Sequence, residues 1–562
     1  MAELLLDKAR DTWLSTQHSL QLAAAASVLE MLNPLFWLGL AAVGSVEAAT
    51  YGNNHVTTRK DPNVLAAQFP SPNTTLLAPA FLSPETIPAA FVNGTEGPTD
   101  DAELDSFLRS LADRNEWMSY SAADFQSEEG RSFPYVLLSS PTTNTTKKLR
   151  VWLQGGVHGN EPAGDQSLLA LLGKLDANQT WADTLLTNLD VLVLPRYNPD
   201  GVAYFQRTLA TNYDPNRDHI KLARAQTRAI KRLFTAFAPH VAADMHEFTA
   251  TRRQGAARDL VWAADALFSA AKNLNIDGAI RALSEDLFAA RIAARLEEQG
   301  LRWDPYVTTD TPAGSAEPIA LAEAGSDGKI GRNAMGLTQS VTFLCEMRGI
   351  GIADQHFKRR TATGLAMAEA IVQTAAENFE LVYETVEAGI RRFAESREDI
   401  VVTDYTETTD RTFAMISASN GSIVQQPVKF DSTTPTIANL TRSRPAAYLI
   451  PRSWADVAAR LEVYGLEVEE LPEVFSGTVE VLNITSAVLE SSYYEGVVRA
   501  KLTTEAIEKE IELPAGSFRV STKQKNAALA FVALEPENID SLAAFNIIPV
   551  EAGDEYPVFR VL

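Results

Sequence analysis

Cysteine is almost absent from this chain, which has Cys345 and no other cysteine among its 562 residues. An intramolecular disulfide is therefore impossible, and a large hydrophobic core has to stabilise the fold without cross-links. Apolar residues make up 46% of the sequence, which is ample for such a core, and the length predicts more than one domain. Basic residues are in deficit, and the formal net charge of −23 repels nucleic acid and anionic lipid, so no nucleic-acid partner is expected.

Long apolar runs are scarce, and one of interest lies near the N-terminus, at residues 35–48 (LFWLGLAAVGSVEA). Its uncharged part falls short of the roughly 20 residues that cross a bilayer. It ends in the small-x-small pattern Val46-Glu47-Ala48, which is typical of a signal cleavage site. Residues 1–48 are therefore predicted to be a signal-like targeting segment of a secreted protein, with no stable membrane insertion after its removal. Met31 is an alternative start, and a buried N-terminal helix is the alternative interpretation.

Asn-x-Ser/Thr triplets agree with a secretory route, because they are acceptors of N-glycosylation. We therefore expect an extracellular glycoprotein. The triplets begin at Asn73, Asn93, Asn144, Asn178, Asn420, Asn439 and Asn483.

The character of the sequence changes twice after the N-terminal segment. Residues 49–115 are rich in Pro, Asn and Thr and are interpreted as a propeptide-like leader or as an arm wrapped on the main domain. Between residues 116 and 400, short apolar strands alternate with helical stretches, which predicts an α/β domain with a mixed, mostly parallel sheet flanked by helices. From residue 401 to 562, β-like runs separated by turn residues predict a smaller β-rich accessory domain.

Helical periodicity in the stretch KLARAQTRAIKRLFTAF, residues 221–237, predicts which face of that helix is buried. The stripe that we expect to face the core consists of Leu222, Ala225, Ala229, Leu233 and Phe237.

Polar groups follow the ends of four candidate strands. LRVWLQGG is followed by His158 and Glu161, DVLVLPRYN ends at Asn198, HVAADMHE contains His246 and VTFLCE ends at Glu346. Because the carboxyl ends of parallel strands form the binding edge of an α/β sheet, these groups suggest a single constellation.

Two histidines and one carboxylate are the ligand set of a catalytic zinc site that keeps one position for water. His158, Glu161 and His246 supply that set, and the glycines around His158 permit the tight turn that lets it share an ion with Glu161. Zinc lowers the pKa of a bound water toward about 7, and Glu346 would take the proton as a general base. Each residue alone has an ordinary explanation, a hydrogen-bonded core histidine in the case of His246.

Other nucleophiles find little support in the sequence. No Gly-x-Ser-x-Gly elbow occurs. Side chains alternate along a strand, so Cys345 faces away from any site that Glu346 faces and is expected in the core.

In their order, these motifs resemble the M14 family of zinc metallocarboxypeptidases over residues 116–400. HGNE resembles the metal-binding pair of the family, YNPDG resembles its Asn-Pro-Asp-Gly stretch, and DMHEF and TFLCEMRG resemble the strands with the third ligand and the catalytic glutamate. The resemblance implies a zinc-carboxypeptidase-like fold and one Zn²⁺ ion bound by His158, Glu161 and His246. It also implies that Glu346 activates the zinc-bound water.

The stretch FQRTLATNYDPNRDH, residues 205–219, resembles the family's arginine followed by Asn-Arg. By this resemblance Arg207 would polarise the scissile carbonyl and stabilise the oxyanion. Asn216 and Arg217 would hold the terminal carboxylate of a peptide, and Asp214 would orient the ring of His158. As ordinary turn residues, Asp214, Asn216 and Arg217 would instead form a turn with a surface ion pair.

One departure from the family concerns the substrate pocket. Digestive-type members have a substrate-capping tyrosine upstream of the catalytic glutamate, and no tyrosine lies between Val307 and Glu346. GKIGRNAMGL, residues 328–337, occupies that region, and Arg332 or Asn333 is expected to contact the substrate instead. The preferred terminal residue therefore stays open.

The predicted function is zinc-dependent hydrolysis of the C-terminal bond of peptides. One alternative is a related zinc amidohydrolase or deacylase acting on N-acyl amino acids or cell-wall peptides. The other is an inactive peptide-binding glycoprotein, against which the intact ligand set and Glu346 argue. The oligomeric state and the removal of residues 49–115 are left open.

Overall fold

The computed structural model describes residues 55–141 and 147–562. The predicted signal-like segment, residues 1–48, and the triplet at Asn144 lie outside the described residues. In the described ranges the strands are β1 Met118–Ala122, β2 Pro134–Leu138, β3 Leu149–Gly155, β4 Leu189–Leu194, β5 Val241–Thr249, β6 Leu260–Trp262, β7 Ala266–Ala270, β8 Trp303–Pro305, β9 Val307–Thr308, β10 Ala320–Glu323, β11 Val341–Ile350, β12 Ile400–Ser417, β13 Ile423–Arg442, β14 Ala447–Ile450, β15 Glu469–Glu470, β16 Phe475–Tyr494, β17 Val497–Leu513, β18 Phe518–Ser521 and β19 Phe559–Val561.

Helices alternate with the strands of the first two thirds of the chain. The α-helices in the described ranges are α1 Asn63–Ala66, α2 Pro79–Leu82, α3 Asp101–Arg114, α4 Pro162–Ala177, α5 Gln179–Leu186, α6 Pro199–Ala203, α7 Ala225–Phe237, α8 Gly278–Leu283, α9 Ala290–Glu298, α10 Gly331–Gly336, α11 Phe357–Glu377, α12 Phe379–Glu395, α13 Ala455–Val463 and α14 Ala527–Leu534. No helix in these ranges is long and apolar enough to cross a membrane.

The central sheet has eight strands in the order β1-β2-β4-β3-β5-β11-β7-β8. Its middle strands β4, β3, β5 and β11 are parallel, and β1, β2 and β7 add antiparallel pairs. Alternate residues of β3 enter different cores: Val151 packs with α4 and α11, whereas Trp152 packs with α7. A strand buried on both faces needs the near-continuous apolar sequence seen here. The predicted fold class, a mixed and mostly parallel sheet flanked by helices, is confirmed.

The buried face of α7 differs from the predicted stripe. Gln226 Nε2 donates a hydrogen bond to the Tyr197 carbonyl at 2.8 Å, and Lys231 Nζ donates to the Ala334 carbonyl at 3.1 Å. Because both polar side chains find buried partners, they turn inward with Ile230. The predicted stripe is therefore right only in part: Leu222 is buried and the half-buried Leu233 and Phe237 pack against the core, whereas Ala225 is exposed.

Two further sheets contain the strands after residue 400. The second sheet, β6-β12-β13-β10-β9, joins the long hairpin of β12 and β13 to strands that precede residue 400. The third sheet, β15-β18-β14-β19-β16-β17, is antiparallel throughout and includes a second long hairpin, β16 and β17. This sheet is the β-rich part that the sequence predicts for the C-terminal third.

Residues 55–115 pack on the α/β part through buried polar contacts. Both oxygens of the Asp61 carboxylate accept hydrogen bonds from the Arg348 guanidinium, at 2.7 and 3.0 Å. Arg196 Nη2 donates to the Thr99 carbonyl at 2.9 Å. This segment therefore contributes partners to charged groups in the interior of the α/β part.

Candidate metal centre and substrate pocket

The strand order brings the candidate ligands to one edge of the central sheet. His246 on β5 lies directly beside Glu346 on the parallel strand β11. On the other side of β5 runs β3, so the loop after β3 carries His158 and Glu161 to the same edge. Cys345 points to the opposite face and packs in the core.

Side-chain atoms of three buried residues converge on one point. His158 Nδ1 lies 2.8 Å from Glu161 Oε1 and 3.1 Å from His246 Nδ1, and His246 Nδ1 lies 2.9 Å from Glu161 Oε2. Two imidazole nitrogens that face each other need a proton or a cation between them. Ligand atoms around one tetrahedral zinc ion are about 3.3 Å apart, given zinc–nitrogen bonds of about 2.0 Å. The cluster therefore fits a single divalent cation.

Each imidazole meets a further carboxylate through its second nitrogen. His158 Nε2 lies 3.1 Å from Asp214 Oδ1, and His246 Nε2 lies 3.0 Å from Asp244 Oδ2. Carboxylates in these positions fix the tautomer that leaves Nδ1 free to bind a cation. The sequence motifs do not single out Asp244, although an Asp-x-His pair on a strand puts both side chains on one face.

The two glutamates of the site hold protons with very different strength. Burial alone would raise the pKa of Glu161, but the adjacent His158 and His246 outweigh burial and hold this pKa below its usual range. Burial raises the pKa of Glu346 to about 8; the nearby His246 acts against that rise, whereas the carboxylate of Glu161 adds to it. Glu161 is thus ionised, whereas Glu346 exchanges its proton near neutral pH.

Arg207 lies at the edge of the cluster and is held by Asp214. Its Nε and Nη2 donate to Asp214 Oδ2 at 3.0 and 2.8 Å, and its Nη1 lies 3.4 Å from Glu161 Oε1. Burial would lower the pKa of Arg207, but the charges of these two acids raise it. The guanidinium is therefore charged, and 38% of its side chain is exposed toward the pocket.

Asn216 and Arg217 lie on a short turn, Pro215–Arg217, that begins at Asp214. Asp214 Oδ1 accepts a hydrogen bond from Asn216 N at 2.8 Å, and Asn216 Oδ1 accepts one from Gly331 N at 2.7 Å. Arg217 Nη1 donates to the Asn216 carbonyl at 2.8 Å. Within the described residues, no carboxylate lies within 4.0 Å of the Arg217 guanidinium.

A pocket of about 360 Å³ opens in front of the cluster. Among the residues that line it are His158, Arg207, Asn216, Arg217, Arg332 and Glu346, all of which the sequence motifs name.

Two candidate residues, Asn198 and Asn333, form hydrogen bonds to backbone groups and do not line the pocket. Asn333 Nδ2 donates to the carbonyls of Gly325 and Asp327, so the expectation that Asn333 contacts the substrate finds no support in its position. Asn198 caps α6 through Gly201 N and donates to the Thr208 carbonyl, which fixes the segment that carries Arg207.

Tyr306 lines the pocket and directly precedes the stretch from Val307 to Glu346, which contains no tyrosine. Burial, and then the charge of Glu346, raise the pKa of its phenol, which therefore stays protonated and able to donate a hydrogen bond. The strands β9 and β10 lie between Tyr306 and the glutamate and lengthen their separation in sequence.

The C-terminal part of the chain contacts two loops of the pocket. Glu495, at the tip of the β16–β17 hairpin, accepts a hydrogen bond from Asp214 N at 2.8 Å. Asp540 accepts two from Lys329, from its backbone N at 3.0 Å and from Nζ at 2.8 Å. Lys329 lies three residues before Arg332, so the tail contacts both the turn that begins at Asp214 and the segment that leads to Arg332.

Known proteins resemble most of this chain. A family model described as zinc carboxypeptidase matches residues 96–258. "Carboxypeptidase 2" of Trichophyton tonsurans is 60% identical over 519 residues, which is 92% of this chain and 96% of the relative. "Carboxypeptidase 2" of Trichophyton rubrum is 59% identical over 521 residues, with the same coverage of 92% and 96%. A metallo-carboxypeptidase structure from Burkholderia cenocepacia shares 18% identity and a TM-score of 0.39, over 50% of this chain and 70% of that one.

Proposed function

Because this chain belongs to the zinc carboxypeptidase family and is a peptidase, we propose that it removes the C-terminal residue of peptides with Glu346 as the general base. The observation that carries the proposal is the convergence of His158, Glu161 and His246 beside Glu346, in a pocket that also contains Arg217. The sequence resemblance to this family is thereby confirmed, and peptides are the substrate class that the family implies.

The residues of the cluster fit a zinc ion by number, type and burial. Two imidazole nitrogens and a carboxylate, all buried, face a common point, and one of these residues, His158, also lines the pocket. His158, Glu161 and His246 would hold the ion, and Asp214 and Asp244 would orient the imidazoles. When bound, zinc would polarise the scissile carbonyl and lower the pKa of a water molecule.

Glu346 and Arg207 would carry the proton and charge transfers. Glu346 would take the proton of the attacking water and return that proton to the leaving amine, because it lies beside His246 at the edge of the pocket. Arg207 stabilises the negative charge that develops on the carbonyl oxygen, and its two hydrogen bonds to Asp214 keep the guanidinium in place.

Asn216 and Arg217 would anchor the terminal carboxylate of the substrate. The Arg217 guanidinium is charged and has no carboxylate partner within 4.0 Å among the described residues, so it is available for a two-point contact with a carboxylate. The phenol of Tyr306 and the guanidinium of Arg332 are further substrate contacts in this proposal.

The test combines metal analysis with substrates that differ at the C-terminus. We expect one zinc ion per chain and hydrolysis of peptides with a free carboxylate, with little hydrolysis of the same peptides when amidated. N-acyl amino acids in the same assay separate the related amidohydrolase from a peptidase that removes terminal residues.

Glu346→Gln should keep the zinc and lose activity by roughly 10²- to 10⁴-fold, the usual contribution of a general base. Glu380→Gln, at an exposed residue of α12, is the matched control with unchanged activity. A zinc-free protein, or full activity in Glu346→Gln, would contradict the mechanism.

We also propose that residues 1–48 direct the protein to the secretory route and that it is N-glycosylated. The support is the signal-like sequence and the exposure of most acceptor asparagines, namely Asn73, Asn93, Asn178, Asn420 and Asn439. Asn483 differs because it is half-buried and its Oδ1 is inaccessible, so we expect it to remain unmodified. Glycopeptide mapping of protein from the culture medium tests both statements.

A further inference from the structure

Arg332 on α10 is a buried cation without a counter-ion. Its side chain is 1% exposed, its Nε has no hydrogen-bond partner, and its Nη2 donates to the carbonyl of Gly325. No carboxylate of the described ranges lies within 4.0 Å of its guanidinium. A buried charge of this kind is strongly unfavourable unless an opposite charge joins it, and an arginine does not escape by losing its proton.

Three acids act electrostatically on the Arg332 guanidinium, and each of them forms an ion pair with a lysine. Asp327 lies 2.7 Å from Lys329 Nζ, and Glu323 and Glu285 lie 3.3 and 2.6 Å from Lys272 Nζ. Since these acids pair directly with Lys272 and Lys329, and none of them forms an ion pair with Arg332, its guanidinium is left for a ligand.

The guanidinium of Arg332 lies in the same pocket as Arg217, the proposed anchor of the substrate carboxylate. Arg217 and Arg332 both line the pocket, and the charges of both reach the phenol of Tyr306. A peptide that ends in a neutral residue brings one carboxylate into the pocket and leaves one of the two guanidinium groups without a partner.

We infer that the pocket selects peptides with a glutamate or aspartate at the C-terminus, with Arg217 holding the main-chain carboxylate and Arg332 the side-chain carboxylate. The inference rests on the proposed function and names its substrate class. Ile330 and Leu344 also line the pocket and provide apolar surface for the methylene groups of such a side chain. Arg332 Nη2 is held by the Gly325 carbonyl, so a carboxylate would meet the guanidinium N–H groups that have no protein partner, and such a fork of donors gives geometric selectivity as well as attraction.

The experiment uses acyl-dipeptides with free C-termini that differ only in the last residue: Glu, Gln, Leu or Lys. Glu and Gln have the same shape, so their ratio of kcat/KM reports the charge alone. For the wild-type enzyme we expect kcat/KM for Glu to exceed that for Gln by roughly tenfold or more, because a site built for a polar partner discriminates strongly against its absence.

Arg332→Gln should abolish the preference for Glu over Gln and leave kcat/KM for Leu within a few-fold, and Arg332→Lys should retain part of the preference. Arg109→Gln is the matched control, because it removes one positive charge at an exposed residue of α3 that does not line the pocket, and its Glu-to-Gln ratio should be unchanged. Zinc content and Tm are measured for each variant, and the wild-type ratio remains decisive if a variant fails to fold.

Two results would overturn the inference while the proposed function stands. One is a wild-type enzyme that prefers Leu or Gln over Glu. The other is an Arg332→Gln enzyme that is folded and loses activity equally on all four substrates, as expected if Arg332 holds the main-chain carboxylate. Failure to cleave any peptide with a free C-terminus would instead overturn the proposed function together with the inference.

Discussion

Replacement of Asp244 tests whether the carboxylate behind His246 contributes to metal binding. Asp244 is fully buried, its Oδ2 lies 3.0 Å from His246 Nε2, and its Oδ1 accepts a hydrogen bond from Gln154 Nε2 at 3.0 Å. Burial alone would raise the pKa of Asp244, but the neighbouring His246 outweighs it and keeps the carboxyl ionised. A negative charge in this position makes Nδ1 of the imidazole a stronger ligand.

The expected loss of zinc affinity follows from the general effect of removing a carboxylate behind a metal-binding histidine. Mutation of such a carboxylate costs about 10- to 100-fold in metal affinity, which corresponds to about 1.4 to 2.7 kcal/mol. Asp244→Asn keeps the volume and a polar atom beside His246 Nε2 but removes the charge, so its loss of zinc affinity should be near tenfold. Asp244→Ala also removes that polar atom and leaves Gln154 without its acceptor, so its loss should be near 100-fold.

Competition with a chelator of known affinity gives the dissociation constant of zinc for each variant. Activity should return at saturating zinc in Asp244→Asn, because the general base and the anchor are untouched. Asp190→Asn is a suitable control. Asp190 lies on β4, accepts hydrogen bonds from Ser139 and Lys148, and does not contact the cluster. Unchanged zinc affinity in both Asp244 variants would refute the assignment of Asp244 to the metal site.

Four further predictions follow from contacts around the site. Gly331→Ala would place a Cβ 2.8 Å from Asp244 Oδ2 and 3.1 Å from His219 Nε2, so we expect a stability loss of about 1 to 3 kcal/mol in denaturant unfolding. Chelation of zinc should lower Tm reversibly, since ligand binding stabilises the folded state, and a Tm that does not respond to zinc would contradict the site. Tyr306→Phe should raise KM more than it lowers kcat if the phenol donates to the bound substrate. Glu495→Ala should lower kcat/KM several-fold with little change in Tm, and Glu551→Ala, at an exposed residue elsewhere in the tail, should not.

The metal cluster was the most predictable part of this protein, for a topological reason. Parallel strands end at one edge, and alternation along each strand puts Glu346 in the site and Cys345 in the core. The proposed roles of Arg207 and Asn216 come from the resemblance of the ordered motifs to the family, and not from strand topology. The same alternation rule, applied to Asp244 and His246, would have found the additional carboxylate.

Other features could not be read from local sequence. The face that α7 buries depends on acceptors on other elements, Tyr197 and Ala334, which hydrophobic periodicity does not register. Tyr306 is not predicted as a pocket residue, because strands β9 and β10 lie between it and Glu346. The tyrosine-to-glutamate spacing of digestive-type family members therefore does not apply to this chain. Glu495 lies 281 residues from its partner Asp214, and no motif connects the two.

Two residues of the β-rich tail, Glu495 and Asp540, contact segments that carry pocket residues. A boundary at residue 400 assigns every proposed metal ligand and substrate contact to the α/β part. However, Asp214 N has its acceptor in Glu495, and Lys329 is held through two hydrogen bonds to Asp540, which is fully buried. Buried polar groups that lose their partners are costly, so the α/β part alone would rearrange at Asp214 and at Lys329. Since Asp214 orients both His158 and Arg207, and Lys329 adjoins the helix of Arg332, the β-rich tail is a structural component of the pocket.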